Sequence, residues 1–66
     1  LTALHDTVLR ATMAEPDKFE GYLAQCKFFM DHGGISTMED FSGRTQRDIA
    51  MNCPKEDVRR RLMEIL

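Results

Sequence analysis

Residues 33–45 constrain this chain more than any other stretch, because they separate two segments of helical periodicity and carry the signals to stop one helix and start the next. Gly33 follows a strongly amphipathic segment, where a helix C-terminus favours a residue free to take positive φ. Thr45 opens another segment. Its hydroxyl can accept an unsatisfied N–H of the first turn, and Asp48, three residues on, can answer it in a capping box. Ser42-Gly43 between them marks a tight turn. These signals predict two helical units joined by a reversal.

The flanking periodicity supplies the helices. Thr2-Ala3-Leu4-His5 leads into Val8, Leu9 and Ala11, a helix of about two to three turns with Thr2 at its N-cap position. The pattern breaks over residues 12–17. Glu15-Pro16-Asp17 reads as a second start, since proline at the first helical position lacks only an N–H that would go unused, and acids favour the positive end of the helix dipole. Phe19, Tyr22, Leu23, Cys26, Phe29 and Met30 then recur at three- and four-residue steps and predict one apolar, aromatic-rich face. Past the turn, residues 45–52 form a short helix with Ile49, Ala50 and Met51 as its apolar contacts, while Arg47 and Asp48 point away. Cys53-Pro54 ends it, Lys55-Glu56-Asp57 puts acids in a new first turn, and Val58, Leu62, Ile65 and Leu66 follow at helical spacing. The expected class is all-α: short helix, longer helix, turn, short helix, longer helix.

That order repeats, and the residues carry a family resemblance. Thr2-Ala3-Leu4-His5 resembles the Thr-Pro-Leu-His opening of an ankyrin repeat, Phe28-Phe29-Met30-Asp31-His32-Gly33-Gly34 resembles its closing Leu-Leu-x-x-Gly-Ala, and Asp40-Phe41-Ser42-Gly43-Arg44-Thr45 resembles the Asp-x-x-Gly-x-Thr that begins the next repeat. Gly33 and Thr45 stand twelve positions apart, as a period of about 33 requires. The resemblance implies an ankyrin-like stack of helix-turn-helix repeats, four helices joined by a β-turn-type loop, with repeat one over residues 1–36 and repeat two over residues 37–66. Thr2 and Thr45 are 43 positions apart, about ten more than the period. The first repeat therefore carries an insertion near residues 12–21, expected to lengthen the second helix or to project as a loop. In the second repeat Gln46-Arg47-Asp48 replaces Pro-Leu-His, as a C-terminal capping repeat with one watered face tolerates.

A chain of 66 residues gives a helix pair little core of its own, so stability is expected from stacking, from further repeats before Leu1, from a partner chain or from self-association. A start at Leu1 rather than Met reads as a piece of a longer protein. Two cysteines, Cys26 and Cys53, lie far apart with no neighbour at metal-binding or redox spacing, and are expected as small buried residues in an intracellular, cytoplasmic or nuclear, setting. A net charge of −2 argues against a general nucleic-acid binder, and no apolar run predicts a membrane span.

Catalytic patterns are equally sparse. His5 is expected to hydrogen-bond within the turn beside Thr2, and His32 to favour the negative end of its helix. Neither stands in a spacing that suggests a triad or a metal site. Glu15, Asp17, Glu20, Glu39 and Asp40 supply carboxylates without a pocket to enclose them, and the glycines form no phosphate loop. No cofactor or metal is expected, and the chain is read as non-enzymatic. Arg59-Arg60-Arg61 reads as a solvated outer face whose stems cover apolar surface. The function implied by the resemblance is a protein–protein interaction module, with Met38, Glu39, Phe41 and Ser42 on the turn tip and Arg47, Met51 and Asn52 on or near the concave helices. The partner is another protein. A structural end-cap of a longer array, or a regulatory segment of a larger enzyme, are the alternatives.

Overall fold

The computed structural model describes residues 3–66, and its elements are α1 (Ala3–Met13), α2 (Pro16–Asp31), α3 (Gln46–Met51) and α4 (Glu56–Ile65). The order of short and longer helices is the one expected, and no strand occurs among the described residues. The proposed N-cap at Thr2 lies outside them.

α1 buries Leu4, Val8 and Ala11 together with His5 and Thr7. It runs on through Thr12, where the sequence predicts a break. Thr12 spends its hydroxyl on the Leu9 carbonyl (2.6 Å), and Thr7 does the same to Ala3 (2.8 Å), so both fold back onto the helix instead of competing with it. What ends α1 is Pro16. The residue before a proline is pushed out of helical space, and Glu15 is extended at φ −67°, ψ 154°. Only Ala14 and Glu15 separate the helices, and Pro16 opens α2 at its first turn. The stretch where an insertion is expected, residues 12–21, is helical but for Ala14 and Glu15: α1 has 11 residues against 6 in α3, and α2 runs to 16. No loop projects there.

α2 buries Phe19, Leu23 and Cys26, with Tyr22, Phe29 and Met30 partly covered against the same core. It stops as the sequence predicts. Gly33 takes φ +90°, and the Gly34 N–H reaches back to the Phe29 carbonyl at 2.7 Å, the long bond of a Schellman cap. Thr45 caps α3: its hydroxyl accepts the Asp48 N–H (3.1 Å), and the Asp48 carboxylate accepts the Thr45 N–H (3.0 Å). The capping box stands complete.

α1 packs against α2, α3 and α4, and α4 against α2 and α3, while α2 and α3 are not in contact. The helices therefore form a two-by-two array with α2 and α3 at opposite corners. A shortest dimension of 17 Å is two helix layers thick. Leu62 reaches the centre from α4 with no exposed surface, and Ile49, Ala50 and Leu66 close the core from the second unit. Met51 does not join them. It is exposed, and Gln46 occupies the buried position instead, because the inward face of so short a helix is set by Gln46, Ile49 and Ala50 at three- and four-residue steps.

Polar bonds of long sequence separation tie the units. The buried His5 ring lies 3.3 Å from the Arg44 carbonyl through Nε2 and 3.3 Å from the Gln46 amide nitrogen through Nδ1. This pattern fits the tautomer with hydrogen on Nε2. Ser36, buried, donates its hydroxyl to the Leu66 carbonyl (3.0 Å), and the Arg47 guanidinium donates to the same oxygen (2.7 Å). The arginine run is not the solvated face expected. Arg61 grips Glu20 of α2 with both terminal nitrogens and lies over the Phe19 ring (5.4 Å), and Arg59 donates to the Cys53 carbonyl (3.3 Å). Arg60 alone of the three is exposed, beside Asp57 at 3.5 Å. α4 lies against α2, so two of its three arginines find partners across or below the helix.

Cys26 and Cys53 are both buried and free. Among the described residues no helix is long and apolar enough to cross a membrane, and no group of three or more His, Cys, Asp or Glu side chains could hold a metal ion.

Candidate functional site

Asp40 builds the turn that joins the two units. Its N–H donates to the Arg44 carbonyl (2.8 Å), and its own carbonyl accepts the Gly43 N–H (3.0 Å), which closes a β-turn over residues 40–43. One oxygen of its carboxylate accepts the N–H groups of Ser42 (2.8 Å) and Arg44 (3.0 Å). Aspartate is favoured at the start of a turn for this reason. The Arg44 N–H, and after it the Ser42 N–H, hold the Asp40 carboxyl below its ordinary pKa. Gly43, at φ +77°, returns the chain toward Thr45. Beneath the turn, the Arg44 carbonyl also receives the His5 ring, so the tip is bolted to α1 as well as to itself.

On this pinned turn Phe41 stands wholly in solvent, at 102 % relative exposure. It does not tuck under the turn. Glu39 and Ser42 flank it, both exposed. Burial cannot explain a phenylalanine here, since it removes no apolar surface from water.

The remaining expected residues fall in separate places. Met38 leaves the tip and lines an apolar groove of about 240 Å³ with Leu4, Phe29, Gly34, Ile35 and Gln46. Asn52 ends α3, donating its N–H to the Asp48 carbonyl (3.1 Å), and borders a shallow depression of about 320 Å³ between α1 and α3. Leu9, Met13, Arg44 and Pro54 share that depression. Leu9, which the sequence pattern counts with Val8 and Ala11, is exposed, as is Met13, which the pattern leaves out. The two stand four residues apart, off the stripe of Leu4, Val8 and Ala11. Arg47 is committed to Leu66, and Met51 is exposed farther along α3. The seven candidates therefore divide into a tip of Glu39, Phe41 and Ser42, a groove wall at Met38, and three positions on or beside α3.

A larger depression than these, about 610 Å³, lies elsewhere, between α2 and α4. Glu20 and Arg61 border it and satisfy each other. That mutual hydrogen bond lowers the pKa of Glu20 and raises that of Arg61. Lys27, Asp31 and Glu64 add mixed charge to an open trough. His32 lies on the surface, its Nδ1–H donating to the Phe28 carbonyl (2.8 Å) and its ring stacked on Phe28 (4.1 Å between centroids). Cys26 is thoroughly covered, and burial pushes its thiol up to about 11, far from the thiolate a nucleophile needs.

No family model matches the chain, and neither a curated protein nor a solved structure matches it.

Proposed function

We propose that this chain is a pair of ankyrin-type repeats acting as a non-catalytic protein–protein interaction module, which grips a partner protein with its turn tip and with the first helices of its two units. The observation that carries the proposal is Phe41: a wholly exposed aromatic ring on a turn fixed by four short hydrogen bonds and anchored from below by His5. An aromatic anchor presented rigidly loses little conformational freedom on binding, which is where interface energy concentrates. The repeat reading is supported by the pairing of like with like, α1 beside α3 and α2 beside α4, and by the His5 ring of one unit meeting the Gln46 amide at the head of the next. Two free, buried cysteines fit an intracellular, reducing setting.

Photo-crosslinking tests the proposal. A benzophenone side chain at position 41, and a second at position 52, should each give a discrete adduct with the same protein in native extract, while the same probe at Glu56 should not. Equal adducts from all three positions, or none from position 41, would overturn it.

A second reading, an end-cap shielding the core of a longer array, is favoured by Arg47, whose guanidinium is spent on the Leu66 carbonyl rather than offered to a partner. A Phe41→Ala, Glu39→Lys pair that leaves the crosslinked protein still captured at full strength would support the cap over the binding surface.

A further inference from the structure

We propose that Tyr22 is a tyrosine-phosphorylation site, and that α1 and α2 already hold the cations, Arg10 and Lys18, that receive its phosphate. None of these residues belongs to the turn tip, to α3 or to the apolar groove beside Met38, so the site is independent of the reading of Phe41 as an anchor.

Tyr22 is the single tyrosine of the chain. Its side chain is partly buried against the core, while the residue also borders an open depression of about 390 Å³ with Asp17, Lys18, Gly21 and Gln25. A phenol, with an apolar body and a polar end, suits such a place. At Gly21 even an added Cβ would meet no atom within 4 Å, so the approach from that side is open.

The hydroxyl stands beside the Arg10 guanidinium of α1. Asp6 first, and Tyr22 after it, raise the pKa of that arginine, so both side chains lie within its reach. Asp6 takes the Nε–H at 2.8 Å, which leaves the N–H groups of the two terminal nitrogens for the tyrosine side. Lys18 comes from α2 itself, one turn before Tyr22 and on the border of the same depression. It forms no ion pair among the described residues.

The neutral phenol makes little use of two cations; a phosphate uses both. A phosphotyrosine carries about −1.5 to −2 charges near neutral pH and three acceptor oxygens, for which a forked guanidinium and an ammonium are the ordinary partners. Asp17 is the one acid lining the depression, and it opposes them. In the transfer, Tyr22 Oη bonds to the γ-phosphorus of ATP as the bond from that phosphorus to the oxygen bridging to the β-phosphate breaks. ADP leaves, and the phenolic proton passes to the kinase's base. Gly21, a poor helix former next to the tyrosine, eases the local opening through which a kinase reaches the phenol. Once in place, the phosphate ties Arg10 of α1 to α2 and tightens the first helix pair.

A tyrosine kinase catalytic domain of broad specificity, with Mg-ATP, should add one phosphate to the folded chain, located at Tyr22 by peptide mapping, and none to a Tyr22→Phe variant. The full chain synthesised with phosphotyrosine at position 22 should unfold at a higher urea midpoint than the unmodified chain. Its folding equilibrium constant should rise about threefold to tenfold in low salt, and the gain should shrink in about 1 M NaCl. Arg10→Gln should remove most of that gain and Arg10→Lys should keep part of it; Lys18→Gln should lower it and Asp17→Asn enlarge it. Comparing each variant with its own phosphorylated form cancels what the substitution does to folding by itself. No phosphate taken up by the folded chain, a phosphorylated chain no more stable than the plain one, or a gain indifferent to both Arg10→Gln and Lys18→Gln would each overturn the proposal.

Discussion

The C-terminus of α2 offers a prediction in which two chemically identical substitutions change stability in opposite directions. At Gly34 an added Cβ would lie 2.6 Å from the Phe29 carbonyl oxygen and 2.9 Å from its carbon, about 0.8 Å short of an ordinary 3.4 Å contact. The obstacle is backbone, so no side-chain rotation relieves it. To make room, Gly34 must withdraw from the carbonyl that accepts its N–H at 2.7 Å, and the Schellman bond goes with it. A net hydrogen bond of about 0.5–1.5 kcal/mol is lost, and with the distortion added the cost of Gly34→Ala comes to about 2–3 kcal/mol, in the range of the larger single substitutions. At Gly21, in the middle of the same helix, the added Cβ meets nothing within 4 Å. There alanine simply replaces a poor helix former, and Gly21→Ala should stabilise by about 0.8–1 kcal/mol. In a domain of this size 1 kcal/mol moves Tm by about 4–8 °C, so the two variants should melt at least about 10 °C apart. Urea unfolding followed by circular dichroism, with an unchanged m-value, gives both numbers. If Gly34→Ala costs less than about 0.5 kcal/mol, or destabilises no more than Gly21→Ala does, the cap assigned to residues 29–34 is wrong.

Other expectations come from the core, the thiols, the acids and the bolt between units. Leu62→Ala empties a side chain with no exposure at the centre of four helices and should cost about 2–5 kcal/mol in urea unfolding. Cys26, with its thiol raised to about 11, should react with a disulfide reagent at neutral pH only at the rate of unfolding, so its labelling should speed up with urea; prompt labelling of Cys26 in the native chain, read by peptide mapping, would contradict its burial. Asp40 and Glu20 both have folded pKa values below the ordinary 3.8 and 4.5, held there by the Arg44 N–H and by Arg61, so the folded chain binds protons less readily than the unfolded one. Their stabilising contribution is therefore whole above about pH 5 and is lost as pH falls through those lowered values, and the urea midpoint should drop between pH 5 and pH 3 by less in a Glu20→Gln variant than in the parent. His5→Leu should cost about 1–3 kcal/mol because it removes two hydrogen bonds, to the Arg44 carbonyl, which keeps the Asp40 N–H, and to the Gln46 amide, and in the His5→Leu, Gln46→Leu double variant the loss should fall short of the sum of the singles by about 1 kcal/mol; strict additivity would show that the two side chains do not act as a unit.

Helix starts and stops were legible because each depends on neighbours in sequence. Pro16 after Glu15, Gly33-Gly34 after Phe29, and Thr45 with Asp48 each act within a single turn, and all three boundaries fall where local chemistry puts them. What failed to show was the partner of any polar side chain. Nothing near Arg61 in sequence announces Glu20, 41 residues away, and nothing near His5 announces Arg44, 39 away. A run of three arginines therefore looked like solvated surface until the packing of α4 on α2 chose which of them to engage. Gln46 was missed for a related reason. A six-residue helix is too short for periodicity to outvote polarity, so a buried glutamine that meets a histidine reads as an exposed one. The seven candidate residues were individually well placed on turn or helix, but their grouping into a tip, a groove and α3 depends on how the hairpin lies against α1, which no local signal encodes.

The polar side chains spent on holding the chain together also indicate which ones are left for something else. Asp40 is consumed by its own turn, Asp48 by its cap, Arg47 and Ser36 by the Leu66 carbonyl, and Arg61 by Glu20. Each has a structural task that a variant would expose as lost stability. Phe41 has none: with full exposure it contributes no buried area. Substitution there should leave the unfolding midpoint within the small range typical of surface positions, about 0.5 kcal/mol. A large aromatic kept in water costs solubility and returns nothing to the fold, which is what supports the proposal that Phe41 contacts another molecule, whereas Arg47 is explained by the carbonyl it already holds.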